Sequence, residues 1–167
     1  MTEIPSSAPV PQHQKLLGSV EYRNAVIQVL EQAQRRIKIF ESILGEPYNT
    51  LQCEATLRRF LLANPQNCLH IVVHDAQALT RDCPRILRLL QGFSHNMAIH
   101  ATRSHAKTIY DPFVLADDSH YVHRFHFDDT RGLLAFDDPQ SARALVERFD
   151  ALWEASDPAA SATTLGL

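Results

Sequence analysis

The sequence predicts an α/β fold: a single layered domain whose central mixed β-sheet is flanked by helices. Three observations predict it. Segments with apolar residues at helical spacing alternate with short β-branched runs through the first part of the chain, and the later part is rich in strands. The run Leu69 to His74 is almost continuously apolar, as a strand covered on both faces would be. At 167 residues and 45% hydrophobic, the chain can bury one real core.

The elements follow in order. Residues 1–18 are polar and proline-rich and are expected to form a disordered arm. Ser19 can cap a helix over about 20–35, because Tyr22, Ala25, Val26, Val29, Leu30 and Ala33 make one stripe. Arg35 and Arg36 then place cations at its negative end. Ile37 to Glu41 alternates as a short strand, and Gly45, Pro47 and Asn49 break the chain. A second helix starts at Asn49 or Thr50, buries Leu51, Leu57, Phe60 and Leu61, and stops at Asn64-Pro65. The strand Leu69 to His74 ends at Asp75. Such carboxyl ends border ligand crevices in open α/β sheets, although capping of the next turn is the favoured role for this aspartate.

A third helix covers about Leu79 to Gln91. Pro84 either kinks it or opens a separate helix from Cys83, and Gly92 ends it. Strands are expected at Met97 to Ala101, Phe113 to Ala116, Tyr121 to Phe127 and Leu133 to Phe136. Asp138-Pro139 opens the last helix, with Ala142, Leu145, Val146, Phe149, Leu152 and Trp153 as its stripe. The expected total is four helices around about six strands, with the domain over 19–155 and a flexible tail over 156–167.

Composition excludes several functions. A net charge of −3 gives no global reason to bind nucleic acid or an anionic membrane. There is no run of 18 apolar residues, so no membrane span, and the N-terminal stretch has no apolar signal core; the expected location is the cytoplasm. Cys53, Cys68 and Cys83 form no C-x-x-C pair and read as reduced, buried thiols. Walker, G-x-G-x-x-G and G-x-S-x-G patterns are absent. His120, His123 and His126 step three residues at a time, which alternates faces on a strand, so no metal site is expected. No cofactor is expected either.

The stretch His105-Ala106-Lys107-Thr108-Ile109-Tyr110-Asp111-Pro112-Phe113-Val114-Leu115-Ala116-Asp117-Asp118 resembles a phospholipase D signature, H-x-K-x(4)-D. The order of elements over about 20–155 is similar to one half of that superfamily. The closing helix, with its A-x(2)-L-x(3)-F-x(3)-W pattern after Asp138-Pro139, belongs to the likeness. The segment Pro84 to Ser94 and the strand Phe113 to Asp118 resemble a narrower bacterial family related to phospholipase D. In active members the histidine is the nucleophile, the lysine clamps phosphate oxygens and the aspartate orients the imidazole. Two copies of the motif are needed, so the resemblance implies pairing of two copies of this chain as a homodimer.

Two registers are open. In one, His105 and Lys107 match, but the aspartate position is Pro112, and Asp111 lies one residue early on the wrong side of a strand. In the other, which fits the strand pattern better, Asp117 is the aspartate, and Tyr110 and Pro112 stand where histidine and lysine should be. The glycine, serine and asparagine that follow the motif in active members are replaced here by Tyr121-Val122-His123-Arg124-Phe125-His126.

The resemblance therefore implies a degenerate, non-catalytic domain serving as a binding, regulatory or scaffold module. The alternatives are a residual phosphodiesterase using His105, Lys107 and Asp111, or a nucleic-acid-binding module using the face of Arg81, Arg85 and Arg88. The net charge weighs against the last. Candidate ligand-binding residues are Tyr110, Asp117, Arg124, Asp75 and Arg85, with a phosphate-containing ligand in view. Arg124 sits inside an apolar strand run. A carboxylate partner is expected for it, from Asp117, Asp128 or Asp129, as a structural ion pair in the former catalytic cleft.

Overall fold

Period-two alternation sends successive side chains of each strand to opposite faces, and here both faces are covered. The computed structural model describes residues 7–160. Its strands are β1 (Gln12–Leu17), β2 (Arg36–Ile43), β3 (Cys68–Asp75), β4 (Met97–Thr102), β5 (Phe113–Ala116), β6 (His120–Arg124), β7 (Arg131–Phe136) and β8 (Ser156–Ala160). Its helices are α1 (Ser19–Gln32), α2 (Leu51–Ala63), α3 (Leu79–Asp82), α4 (Pro84–Gly92) and α5 (Pro139–Glu154), with a short 3-10 turn at Ser104–Ala106. One mixed sheet takes the order β1-β7-β6-β5-β2-β3-β4-β8. β2, β3 and β4 are parallel; every other neighbour is antiparallel.

Ile37 and Ile39 of β2 and Leu69, Ile71 and Val73 of β3 face the larger core under α1, α2, α3 and α4. Phe40, Val72, Phe113 and Leu115 face the smaller core under α5, with Leu145, Phe149 and Leu152. Thr50 caps α2 by accepting from the Cys53 N–H at 3.1 Å, and Asp138 caps α5 by accepting from the Ser141 N–H at 3.1 Å. Pro84 opens its own helix, α4, so of the two expected alternatives, one kinked helix or a separate helix from Cys83, the structure takes the second.

Three expectations are corrected. The segment read as part of a disordered arm contains edge strand β1, which pairs with β7 from Gln12↔Phe136 to Leu17↔Arg131. Only Leu16 of β1 is buried; the rest docks through backbone bonds and through His13, whose Nε2 lies 2.6 Å from the Asp138 carboxylate. The segment read as a flexible tail begins with edge strand β8 on β4. Arg103 holds it through Asp157 at 2.8 Å, and Ser156 meets His100 Nδ1 at 2.9 Å. Finally, β6 ends at Arg124; Phe125 to Phe127 leave the sheet. Residues 1–6 and 161–167 of the expected arm and tail lie outside the described residues. Among the described residues, no helix is long and apolar enough to cross a membrane.

Candidate functional site

Most residues singled out by sequence are held in local structure. Asp117 accepts from the backbone N–H groups of Gln34 (2.9 Å), Arg35 (2.8 Å) and Arg36 (3.0 Å). Because β5 runs antiparallel to β2, this places Asp117 at the amino end of β2, away from the carboxyl ends of the parallel strands. Asp75 accepts from the Gln77 N–H at 2.8 Å, which is the turn-capping role. Arg85 pairs with Glu54 of α2 at 2.8 Å. Arg88 shares that carboxylate at 3.7 Å, and Arg81 pairs with its neighbour Asp82 at 2.7 Å.

His105 and Lys107 are exposed in and just after the 3-10 turn. Neither has a hydrogen bond or ion pair to Asp111 among the described residues. The Asp111 carboxylate instead accepts from His123 Nε2 at 2.8 Å and pairs with Arg148 of α5. Tyr110 is half exposed, and its ring stacks on His126 with centroids 5.6 Å apart. The Tyr110 and Pro112 carbonyls brace the end of β6: Phe127 N–H donates to Tyr110 O at 2.7 Å and Arg124 N–H to Pro112 O at 2.9 Å. Beside them, His74 Nε2 lies 2.6 Å from the Ile109 carbonyl. A carbonyl only accepts, so Nε2 carries the proton and Nδ1 accepts from the Thr102 hydroxyl at 2.7 Å. Burial lowers the His74 pKa, which keeps this neutral tautomer in place.

Arg124 is the candidate that leads to a cavity. It projects from the face of β6 that also carries Val122, toward α1. Its Nε donates to the Asp129 carbonyl, and its guanidinium lies 5.6 Å from the centre of the Tyr22 ring. The expected carboxylate partner is corrected: no side-chain carboxylate among Asp117, Asp128 and Asp129 pairs with it. The carboxylate whose charge it feels is Glu41, at the carboxyl end of β2.

Ser19, Tyr22 and Arg23 of α1, Glu41 to Ile43 with Gly45 and Glu46, and Arg124, Phe127 and Asp128 line a cavity of about 510 Å³ that opens to solvent. Period-two alternation puts Glu41 on the same face as Ile37 and Ile39, so its carboxyl enters beneath α1. Tyr22 and Tyr48, both buried, each donate a hydroxyl to Glu41 Oε1, at 3.4 and 3.2 Å. Burial of the carboxyl raises its pKa from 4.5 to about 7, against the smaller opposing pulls of the Tyr48 hydroxyl, the Arg124 charge and the Tyr22 hydroxyl. Burial also pushes both phenols well up, with the Glu41 charge adding to it, so they stay protonated donors. A carboxyl that titrates near neutrality beside an arginine in a cavity marks a candidate site. Sequence reasoning placed Tyr22 in a core stripe and Glu41 at the end of a strand. The available signal was a charged residue closing an apolar strand at the sheet's carboxyl end.

This architecture is that of the phospholipase D fold. The solved structure of Nuc from Salmonella typhimurium, a phospholipase D family member, superposes with a TM-score of 0.65 over 89% of this chain and 98% of Nuc, at 13% identity. Phosphatidylserine synthase from Haemophilus influenzae Rd KW20 gives 0.63 over 95% of this chain and 42% of its own, at 17% identity. TrmBL2, an archaeal chromatin protein whose structure shows a novel mode of DNA binding, gives 0.66 over 88% and 55%, at 12% identity. The chain thus spans nearly all of Nuc, about half of TrmBL2 and less than half of the synthase. At the level of sequence it belongs to the family described as Domain of unknown function (DUF7931), whose model matches residues 18–165. No curated protein sequence matches it.

Proposed function

We propose that this chain is a non-hydrolytic phospholipase D-like domain that works as a binding module in the cytoplasm. The observation that carries the proposal is the pair Tyr110 and Pro112, which stand where the better-fitting register puts the nucleophile and the phosphate clamp. Tyr110 is half exposed and has no base hydrogen-bonded to its hydroxyl among the described residues, and Pro112 carries no charge. The alternative dyad of His105 and Lys107 lies exposed, and Asp111 is engaged by His123 and Arg148. DNA binding, which the TrmBL2 structure shows for that protein, finds little support here, since Arg85 and Arg88 share Glu54 and Arg81 pairs with Asp82.

The purified protein should release no p-nitrophenol from bis(p-nitrophenyl) phosphate above the uncatalysed rate. Release that His105→Ala abolishes would overturn the proposal. Pairing of two copies belongs to the same reading: Ile43, Tyr110 and Phe125 expose apolar side chains at the carboxyl end of β2, before β5 and after β6. Light scattering should then give twice the chain mass for the native protein and the single mass for Phe125→Glu.

A further inference from the structure

The cavity beneath α1 holds two opposite charges that feel each other and do not touch. Glu41 and Arg124 interact electrostatically, yet no ion pair joins them. Both tyrosine hydroxyls go to Glu41 Oε1, and Oε2 has no hydrogen-bond partner among the described residues. Arg124 uses Nε on the Asp129 carbonyl, and its two terminal nitrogens donate to nothing among the described residues. Both groups are half-buried and open into the cavity, and a carboxylate and a guanidinium free on the walls of one cleft are complementary to a molecule that carries the opposite pair.

The remaining walls narrow what that is. Arg23 and Glu46 neutralise each other at 2.8 Å on the rim. That leaves the carboxylates of Glu41 and the exposed Asp128 against the guanidinium of Arg124. A dianionic phosphate would meet more negative than positive charge. A bare divalent cation would find one sheltered carboxylate where such ions take six or more oxygens. The volume, about 510 Å³, suits a small molecule, and the rings of Tyr22 and Phe127 give it apolar walls.

We propose that this cavity binds a small zwitterion of the amino-acid type, its ammonium group donating to Glu41 Oε2 and its carboxylate received by the terminal nitrogens of Arg124. The inference rests on the reading of the chain as a binding module and gives that module its ligand class. Glu41 must be ionised to hold the ammonium group. Its carboxyl, faced by Tyr22 from α1, Tyr48 from the loop after β2 and Arg124 from β6, with the Arg23–Glu46 pair and Asp128 on the rim, titrates at about 7. Affinity therefore falls as pH drops, by roughly tenfold from pH 8 to pH 6.

Titration calorimetry of the full chain at pH 8 tests this, with the twenty amino acids, the N-acetyl and amide derivatives of any that bind, and inorganic phosphate. The expected result is saturable binding of at least one amino acid. Either derivative should bind at least tenfold more weakly, as should the parent amino acid to Glu41→Gln and to Arg124→Gln, and affinity should fall at pH 6. Should either variant fail to fold, the derivative comparison and the pH series on the native protein carry the test alone. No binding by any amino acid, equal binding of the N-acetyl form, or displacement of the amino acid by phosphate would overturn the inference. Hydrolysis of a phosphodiester would overturn the non-hydrolytic reading and leave this one standing, and absence of zwitterion binding would do the reverse.

Discussion

Asp117 accepts three successive backbone N–H groups from the turn that feeds β2, with its own backbone at φ 54°. A non-glycine residue keeps a left-handed conformation when its short polar side chain has local partners. Asp117→Ala removes the acceptor shared by three donors, and water can replace it for one or two of them. The expected loss is about 2 kcal/mol in urea unfolding, with a smaller loss for Asp117→Asn. Glu41 has the opposite character. Its folded pKa of about 7 lies above the ordinary 4.5, so the folded state holds a proton between those values that the unfolded state has released. The contribution is therefore fully present below about pH 4.5 and is lost as pH rises through 7. His70, His74 and His100, all on the α5 face, have pKa values lowered chiefly by burial, and their contribution is lost as pH falls below 6.5. Glu41→Gln should melt higher than the native protein at pH 8, and the two should converge toward pH 4.5 while sharing the histidine limb.

Between β6 and β7 the backbones come close enough to dictate a residue. A Cβ on Gly132 would lie 2.7 Å from the His123 carbonyl oxygen, which is main chain and cannot swing aside. Gly132→Ala should cost about 1–3 kcal/mol, read as a lower urea midpoint. It should also loosen Arg124, the strand partner of Gly132. The elements that sequence revealed and those it hid differ in where their stability comes from. α5 was legible because Ala142, Leu145, Phe149 and Leu152 are buried along one stripe. β1 was hidden because one of its six side chains is buried and its pairing is mostly backbone, which leaves no period-two pattern. β8, with Pro158 inside it, sits on an edge, where a strand tolerates the missing N–H. Of the site, Arg124 was legible as a cation in an apolar strand. Its setting was not, because Glu41, Tyr22 and Tyr48 are brought to it by the packing of α1 over β2, and no local pattern records that contact.

Across the whole molecule the parallel strands β2 and β3 lie in the middle of the sheet, and β1 and β8 form its two borders. Central strands open only with global unfolding, whereas border strands with few buried side chains can open alone. Native-state hydrogen exchange should find the amides of Ile39 and Ile71 most protected and those of β1 and β8 least. Equal protection along the sheet would show instead that the borders unfold with the core.

The two borders are also the two described ends of the chain. They are separated by seven strand spacings of about 4.8 Å, roughly 34 Å before twist. A fluorescent tag joined ahead of β1 would stand on one flank and a tag joined after β8 on the other, with α5 and the cavity between them. Energy transfer between such tags would act as a ruler across the width of the sheet, insensitive to small movements at the cavity and responsive to the peeling of either border.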